Sequence, residues 1–365
     1  MIYVPIKGFT REHINMMKWG LLMKYSFRND YSELCHPALL EALLQASNEQ
    51  NKGYGLDKHS DNAKRLIKQK LETENCDIHF VTGGTQANAT VISYILRPYE
   101  AVLACTTAHI NVYETGAIEA TGHKIVTEEG VDGKLTPADI EHALKSHYDE
   151  HMVKIGMVYI SQSTELGTVY SYDELKAIYD FCREHQLYLF IDGARLSSGL
   201  AASGVSLNMF KDLCDCFYIG GTKIGMMSGE AIVLFNDRLK QYFRHHIKNK
   251  GALLAKGYVV GIQFERAFQD DLYLQLGHQI NDLARFLTNE LKALEVPFFS
   301  ESSTNQIFPI FTKEVVTELG KLYDFEVWEE VEGGFAIRFV TSWFTKKETC
   351  MELLEDIKTI MSKFK

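Results

Sequence analysis

Seven short apolar runs, separated by segments of helical period between about residues 37 and 235, leave few architectures open to this chain. They are 78-IHFV-81, 101-AVLAC-105, 123-HKIV-126, 155-IGMVYI-160, 187-LYLFI-191, 216-CFYIG-220 and 231-AIVLF-235. Continuous apolar strands alternating with helices are what a mainly parallel sheet buried on both faces requires. The expectation is an α/β fold whose large domain carries a mainly parallel seven-stranded sheet.

Start signals support the helices between the runs. The segment 171-SYDE-174 fits a capping box, with Leu175, Ile178, Tyr179 and Cys182 behind it as one apolar stripe. Pro137 follows Thr136, where a first helical turn tolerates proline, and 345-TKKE-348 reads as the opening of a last helix. Beyond residue 235 the texture changes to a helical stretch over about 257–294, then 306-QIFPIF-311, 323-YDFEVW-328 and 335-FAIRFV-340. The reading is a large domain over 20–240, a smaller α+β domain over 241–365, and residues 1–19 as an N-terminal arm.

Composition narrows the function. The 365 residues carry 38 Lys+Arg against 48 Asp+Glu, a net charge of -10, which argues against a nucleic-acid or anionic-membrane surface and for a small-molecule partner. No run approaches the ~20 apolar residues that span a bilayer, and the start shows no leader pattern, so a cytoplasmic location is expected. Seven cysteines without a CxxC pair speak against a disulfide framework or a thiolate zinc site. His142, His147 and His151 lack a third ligand in a zinc pattern, and no metal is expected.

In an open parallel sheet ligands bind beyond the carboxyl ends of the strands. One run ends in 82-TGGTQAN-88 and enters a helix, so Gly83, Gly84, Thr85 and Gln86 offer N–H groups at a helix N-terminus, a phosphate cradle distinct from a Walker loop or GxGxxG. Taken alone, a glycine pair before a helix is a common turn. Another run ends in 192-DGAR-195, which places Asp192 at a strand tip, either to hold a protonated ring nitrogen or to cap a helix or pair with Arg195. Lys223 follows the next run through a Gly-Gly-Thr loop, where a desolvated amine reacts with an aldehyde, or where a loop lysine simply bonds a carbonyl. Aldehyde-reactive amine, acid and phosphate cradle together are the needs of pyridoxal 5'-phosphate.

With these pieces in place the sequence resembles the β-eliminating lyases of the fold-type-I pyridoxal-phosphate enzymes, and within them the L-threonine aldolases. The resemblance runs in order through 27-FRND-30, 53-GYG-55, the GGTQAN loop, 109-HINVYETG-116, 192-DGARL-196 and 222-TK-223. It implies a pyridoxal-phosphate lyase that splits a β-hydroxy-α-amino acid of the threonine, allo-threonine or phenylserine type into glycine and an aldehyde. It further implies that His109 stacks on the cofactor ring, that Gly84, Thr85 and Gln86 hold the phosphate, and that Asp192 pairs with the ring nitrogen. Arg195 would lie beside the cofactor's phenolic oxygen or the substrate, and Lys223 would carry the cofactor. Arg338, in 335-FAIRFVTSW-343, stands where the family keeps the arginine that clamps the substrate carboxylate. Against that stands a strand arginine facing solvent.

Two departures fall near the substrate: Asn29 replaces a serine in the family's LRSDT opening, and 160-ISQST-164 stands for LENTH and lacks its histidine. His151, nine residues before Ile160, is a candidate general base by resemblance. Fold-type-I sites are completed by a second subunit, which implies a homodimer or homotetramer, with Tyr54 as a candidate residue shared across subunits. The same cofactor also serves β-elimination and transamination, and a non-catalytic fold relative is the third reading.

Overall fold

The computed structural model describes residues 23–364; the expected arm at 1–19 lies outside them. Thirteen strands are formed among these residues. They are β1 (Tyr25–Ser26), β2 (Asp77–Val81), β3 (Glu100–Cys105), β4 (Ile125–Glu128), β5 (Lys154–Ser161), β6 (Tyr188–Asp192), β7 (Cys216–Gly220), β8 (Glu230–Leu234), β9 (Phe298–Ser300), β10 (Gln306–Phe311), β11 (Tyr323–Asp324), β12 (Glu326–Val331) and β13 (Gly334–Val340). The first large sheet has the order β2-β8-β7-β6-β5-β3-β4, and only β8 runs against the others. All seven apolar runs are strands of this one sheet, so the expected mainly parallel seven-stranded architecture is present.

The reason is visible in the two sheet faces. Leu189, Ile191, Phe217, Ile219 and Val233 pack into one buried cluster, while Phe190, Cys216, Tyr218, Ile232 and Leu234 pack into another. Residues one apart along a strand thus enter opposite cores, which only a sheet covered on both sides permits. Each such Leu, Ile or Phe contributes roughly 1.5–3 kcal/mol by leaving water.

The flanking helices start where the sequence says. Ser171 accepts from the Glu174 N–H, Glu174 reaches back to the Ser171 N–H, and Thr136 and Asp139 do the same ahead of Pro137. Elsewhere the structure corrects the reading. The last helix is Lys347–Ser362 and has no side-chain cap, because Thr345 Oγ1 instead accepts from the Ser342 N–H at 2.9 Å. The stretch 257–294 is two helices, Tyr258–Phe268 and Leu272–Ala293, broken where Asp270 and Asp271 take positive φ of 52° and 57°. Strand β4 begins two residues later than 123-HKIV-126, since the His123 Nδ1 is bonded to Glu100 O at 3.0 Å.

A second sheet, antiparallel in the order β12-β13-β10-β9, packs with the helix Lys347–Ser362 on its own core of Ile307, Phe311, Ile337, Phe339, Leu353 and Ile357. Phe27, just after β1, is buried in this second core. The expected boundary at 240/241 precedes the helix Tyr258–Phe268, whose Val260, Phe264 and Ala267 lie in the core of the large sheet.

Candidate active site

Strand register gathers the chemistry at one edge of the large sheet. Ser161 is level with Asp192, and Glu230 is level with both Gly220 and Val81. The chain therefore leaves β2, β5, β6 and β7 at this edge, and the reversed β8 enters there. Beyond it lies a cleft of about 960 Å³, measured out to its open mouth, lined among others by Gly84, Thr85, His109, Asp192, Arg195 and Lys223. These candidates from the sequence, with the neighbouring Gly83, meet in this one cleft.

Asp192 is buried and accepts four hydrogen bonds. Oδ1 takes the Tyr218 hydroxyl at 2.5 Å and the Ala194 N–H at 2.9 Å, while Oδ2 takes the Tyr159 hydroxyl at 2.5 Å and Asn88 Nδ2 at 3.0 Å. Burial, reinforced by the adjacent Asp192 charge, holds both tyrosines well above their ordinary pKa, so they remain donors. Four donors fix both oxygens of this one carboxylate in place. Asn88 continues the network: its Nδ2 also reaches Glu114 Oε1 at 2.7 Å, and that oxygen bonds His109 Nδ1 at 2.8 Å. One rigid chain of bonds thus ties the ring of His109 to Asp192.

The Gly-Gly before Lys223 has a steric cause. A Cβ at Gly220 would collide with the carbonyl oxygens of Ala194 and Gly193, and one at Gly221 with Met226 and Gly229. The following turn is pinned by Glu230, which accepts from the Gly221 N–H and the Thr222 hydroxyl, both at 2.8 Å. Burial pushes the Glu230 carboxyl up to about 8. Lys223 itself makes no hydrogen bond or ion pair among the described residues; burial, then the charge of Arg195, lowers its pKa, with Asp30, Asp192 and Glu230 opposing. An amine with a lowered pKa and no partner is prepared to act as a nucleophile.

The helix Gly84–Ile95 opens with no side-chain cap, and a Cβ at Gly83 would meet nothing within 4 Å. Its first N–H groups therefore face an open cradle suited to a phosphate. Gln86 is turned inward: its Oε1 accepts from the Thr82 N–H at 3.0 Å and the Thr82 hydroxyl at 2.7 Å, fixing the loop. Cradle, buried carboxylate and unpartnered amine fit pyridoxal phosphate.

The remaining candidates lie around or away from the cleft. Arg195 pairs with Asp30, through Nε–Oδ2 at 2.7 Å and Nη2–Oδ1 at 3.1 Å, and Asn305 Nδ2 supports Asp30 at 2.9 Å. Asn29 holds the 29–32 turn through Tyr31 N–H and the Ser32 hydroxyl at 2.9 and 3.0 Å. Arg338 bonds Glu326 and Gln306 at the second sheet. Tyr54, 42% exposed, has its ring under Lys248 Nζ at 4.7 Å and is not part of its own chain's cleft.

His151 does not join the others. It is exposed and precedes the start of the eight-residue β5, so it sits at the opposite edge of the sheet, more than about 20 Å from Ser161. Counting residues back from Ile160 measured sequence, while an extended strand carried the position out of reach.

Several cleft residues had no place in the sequence reading. Glu165 lines the cleft, accepts from the Ser161 hydroxyl at 2.8 Å and the His109 N–H at 3.1 Å, and has its pKa raised by burial. Glu230 lies outside the rule that ligands sit beyond strand carboxyl ends, since the reversed β8 delivers its first residue to that edge. Its signal was an acid immediately ahead of the apolar run 231-AIVLF-235.

Comparison with known proteins agrees with this geometry. Residues 27–314 match the profile of the beta-eliminating lyase family. The low specificity L-threonine aldolase of Pseudomonas aeruginosa is 34% identical over 349 residues, covering 91% of this chain and 96% of that protein. The solved threonine aldolase of Leishmania major has a TM-score of 0.90 and 45% identity, over 92% of this chain and 99% of that one. An aspartate aminotransferase of Thermus thermophilus, at TM-score 0.70 and 13% identity over 96% of this chain and 94% of that one, shares the fold. The chain belongs to the beta-eliminating lyase family, on its threonine aldolase branch.

Proposed function

We propose that this protein is a pyridoxal-phosphate-dependent lyase that cleaves the Cα–Cβ bond of threonine-type β-hydroxy-α-amino acids to give glycine and an aldehyde. The observation that carries the reading is the convergence of an unpartnered Lys223, a four-times-bonded Asp192 and the open helix start at Gly84 in one cleft. The names of the similar enzymes from Pseudomonas and Leishmania support the reaction.

In this reading Lys223 would be the amine that holds the cofactor. Gly84 and Thr85 would donate N–H groups to its phosphate, and Asp192 would hold its ring nitrogen. When bound, the cofactor supplies a sink for the electron pair left as Cα–Cβ breaks. His109, held by Glu114, would pack against the cofactor, and Arg338 would orient the substrate through its carboxylate. Asn29 and Arg195 set the walls beside the substrate. With His151 at the far edge, the proton of the β-hydroxyl would pass to a group in the cleft, where His109, bonded to Glu114, and Glu165, which accepts from the His109 N–H, are the titratable residues at hand.

The reading also takes the enzyme as a homodimer or homotetramer with shared sites, supported by the exposed Tyr54 at the 53-GYG-55 turn, and as cytoplasmic, supported by seven buried, unpaired cysteines. The test is product analysis of the holoenzyme with L-threonine, L-allo-threonine and L-phenylserine. Equal amounts of glycine and aldehyde support it; ammonia with a keto acid moves the enzyme to β-elimination, and amino-group exchange to transamination.

A further inference from the structure

The arginine assigned to the substrate carboxylate already has a carboxylate. The register of β12 and β13 puts Glu326 directly opposite Arg338, and Glu326 Oε2 accepts from Arg338 Nη2. The rest of the guanidinium is only partly satisfied. Nη1 reaches Gln306 Oε1 at 3.3 Å, Nη2 also reaches Arg28 O at 3.5 Å, and the Nε is buried with no partner. The Trp328 ring lies 5.1 Å from its central carbon.

Two facts make this pair unequal. The Arg338 side chain is 13% exposed and Glu326 30% exposed, so the cation is the more deeply held and the carboxylate has water within reach. A guanidinium so buried needs an anion, and removing the one it pairs with among the described residues leaves a strongly unfavourable charge. Burial lowers the pKa of Arg338, and Glu326 is the first influence opposing it; Arg195 acts with burial, while Asp30 and Tyr113 act against it. An incoming carboxylate seeking two parallel N–H bonds finds Nε buried and Nη2 engaged by Glu326. It must displace Glu326 or sit beside its negative charge.

We infer that Glu326 is an internal counter-ion that stands in for the substrate carboxylate, holding Arg338 in the empty enzyme and competing with the substrate for it. The inference rests on the reading of Arg338 as the carboxylate clamp. Glu326 then sets how tightly any α-amino acid binds, independently of what the side chain of that amino acid is. Its role is in affinity, at a residue that does not line the cleft around Lys223.

The experiment compares wild-type holoenzyme with Glu326→Gln, Glu326→Ala and Arg338→Gln, measuring the Kd of glycine from the change in cofactor absorbance and the KM and kcat for L-threonine. Glu326→Gln keeps the shape and removes the charge. Expected is a glycine Kd and a threonine KM about three- to tenfold lower, with kcat changing less than KM and the gain shrinking as salt rises. Glu326→Ala, checked for folding by its melting curve, moves Kd the same way. Unchanged or higher Kd and KM in both Glu326 variants would overturn the inference, since Glu326 would then be absent from the competition or needed to orient Arg338. If Arg338→Gln itself leaves Kd and KM unchanged, the clamp reading fails; if it raises them while the Glu326 variants lower nothing, only the inference fails.

Discussion

Arg195 and Asp30 form a two-pronged ion pair beside the cleft, with the Asp30 carboxylate wholly buried and the Arg195 side chain 12% exposed. The pair joins 27-FRND-30 to 192-DGAR-195, and Asn305 ties both to the second sheet. Burial alone would raise the Asp30 pKa, but Arg195, Lys223 and Asn305 outweigh it and hold the carboxyl below its ordinary 3.8.

Asp30→Asn leaves the Arg195 guanidinium uncompensated, a loss of about 3–5 kcal/mol for a broken buried pair. Thermal melts at neutral pH are expected to fall by about 5 °C or more. Because the folded pKa of Asp30 is depressed, its contribution is present above the unfolded value and lost as pH falls through the folded one. The difference between wild type and Asp30→Asn should therefore narrow in melts below about pH 4.

Glu230 behaves in the opposite sense. Its folded pKa is raised from 4.5 to about 8, so the folded state holds a proton that the unfolded chain has released, and the stabilising contribution fades as pH climbs from 4.5 through 8. In cofactor-free protein Glu230→Gln should gain on wild type between pH 6 and pH 9, by on the order of 2–4 kcal/mol at the upper end. Melting temperatures of the two proteins across that range give the answer, and parallel curves would contradict it.

Tyr218→Phe removes one of the four donors to Asp192 without opening a cavity larger than a hydroxyl. A bond to a charged acceptor is worth about 1.5–3 kcal/mol, so stability should drop by that amount in urea titrations. Activity should fall by about tenfold at most, since Tyr159, Asn88 and Ala194 still hold the carboxylate. Lys223→Ala, by comparison, should lose on the order of 10³-fold or more.

If sites are shared between subunits, two dead chains can repair each other. Lys223→Ala and Tyr54→Ala proteins, each weakly active alone, are expected to recover about one quarter of wild-type activity after being unfolded and refolded as an equal mixture. No recovery would place Tyr54 outside the site.

Much of this was legible in the residues. The apolar runs set the sheet because burial on both faces leaves no room for polar alternation, and Gly84, Thr85, His109, Asp192, Arg195 and Lys223 met because each follows a strand running the same way. What escaped the reading depends on three dimensions. The break at Asp270 and Asp271 uses a left-handed conformation that aspartate tolerates but does not announce. The reversal of β8 brought Glu230 to the cleft, and the extension of β5 took His151 away, because direction along the sheet is not written in spacing. The hydroxyls of Tyr159 and Tyr218 looked like core aromatics, and only register put them on Asp192.

The most direct measurement is borohydride reduction of the holoenzyme followed by peptide mapping. Reduction fixes the cofactor to whichever amine holds it. A single pyridoxyl modification on Lys223 is the expected result. Modification of another lysine, or a protein that binds the cofactor with Lys223 unmodified, would contradict the assignment on which the proposed lyase reaction rests.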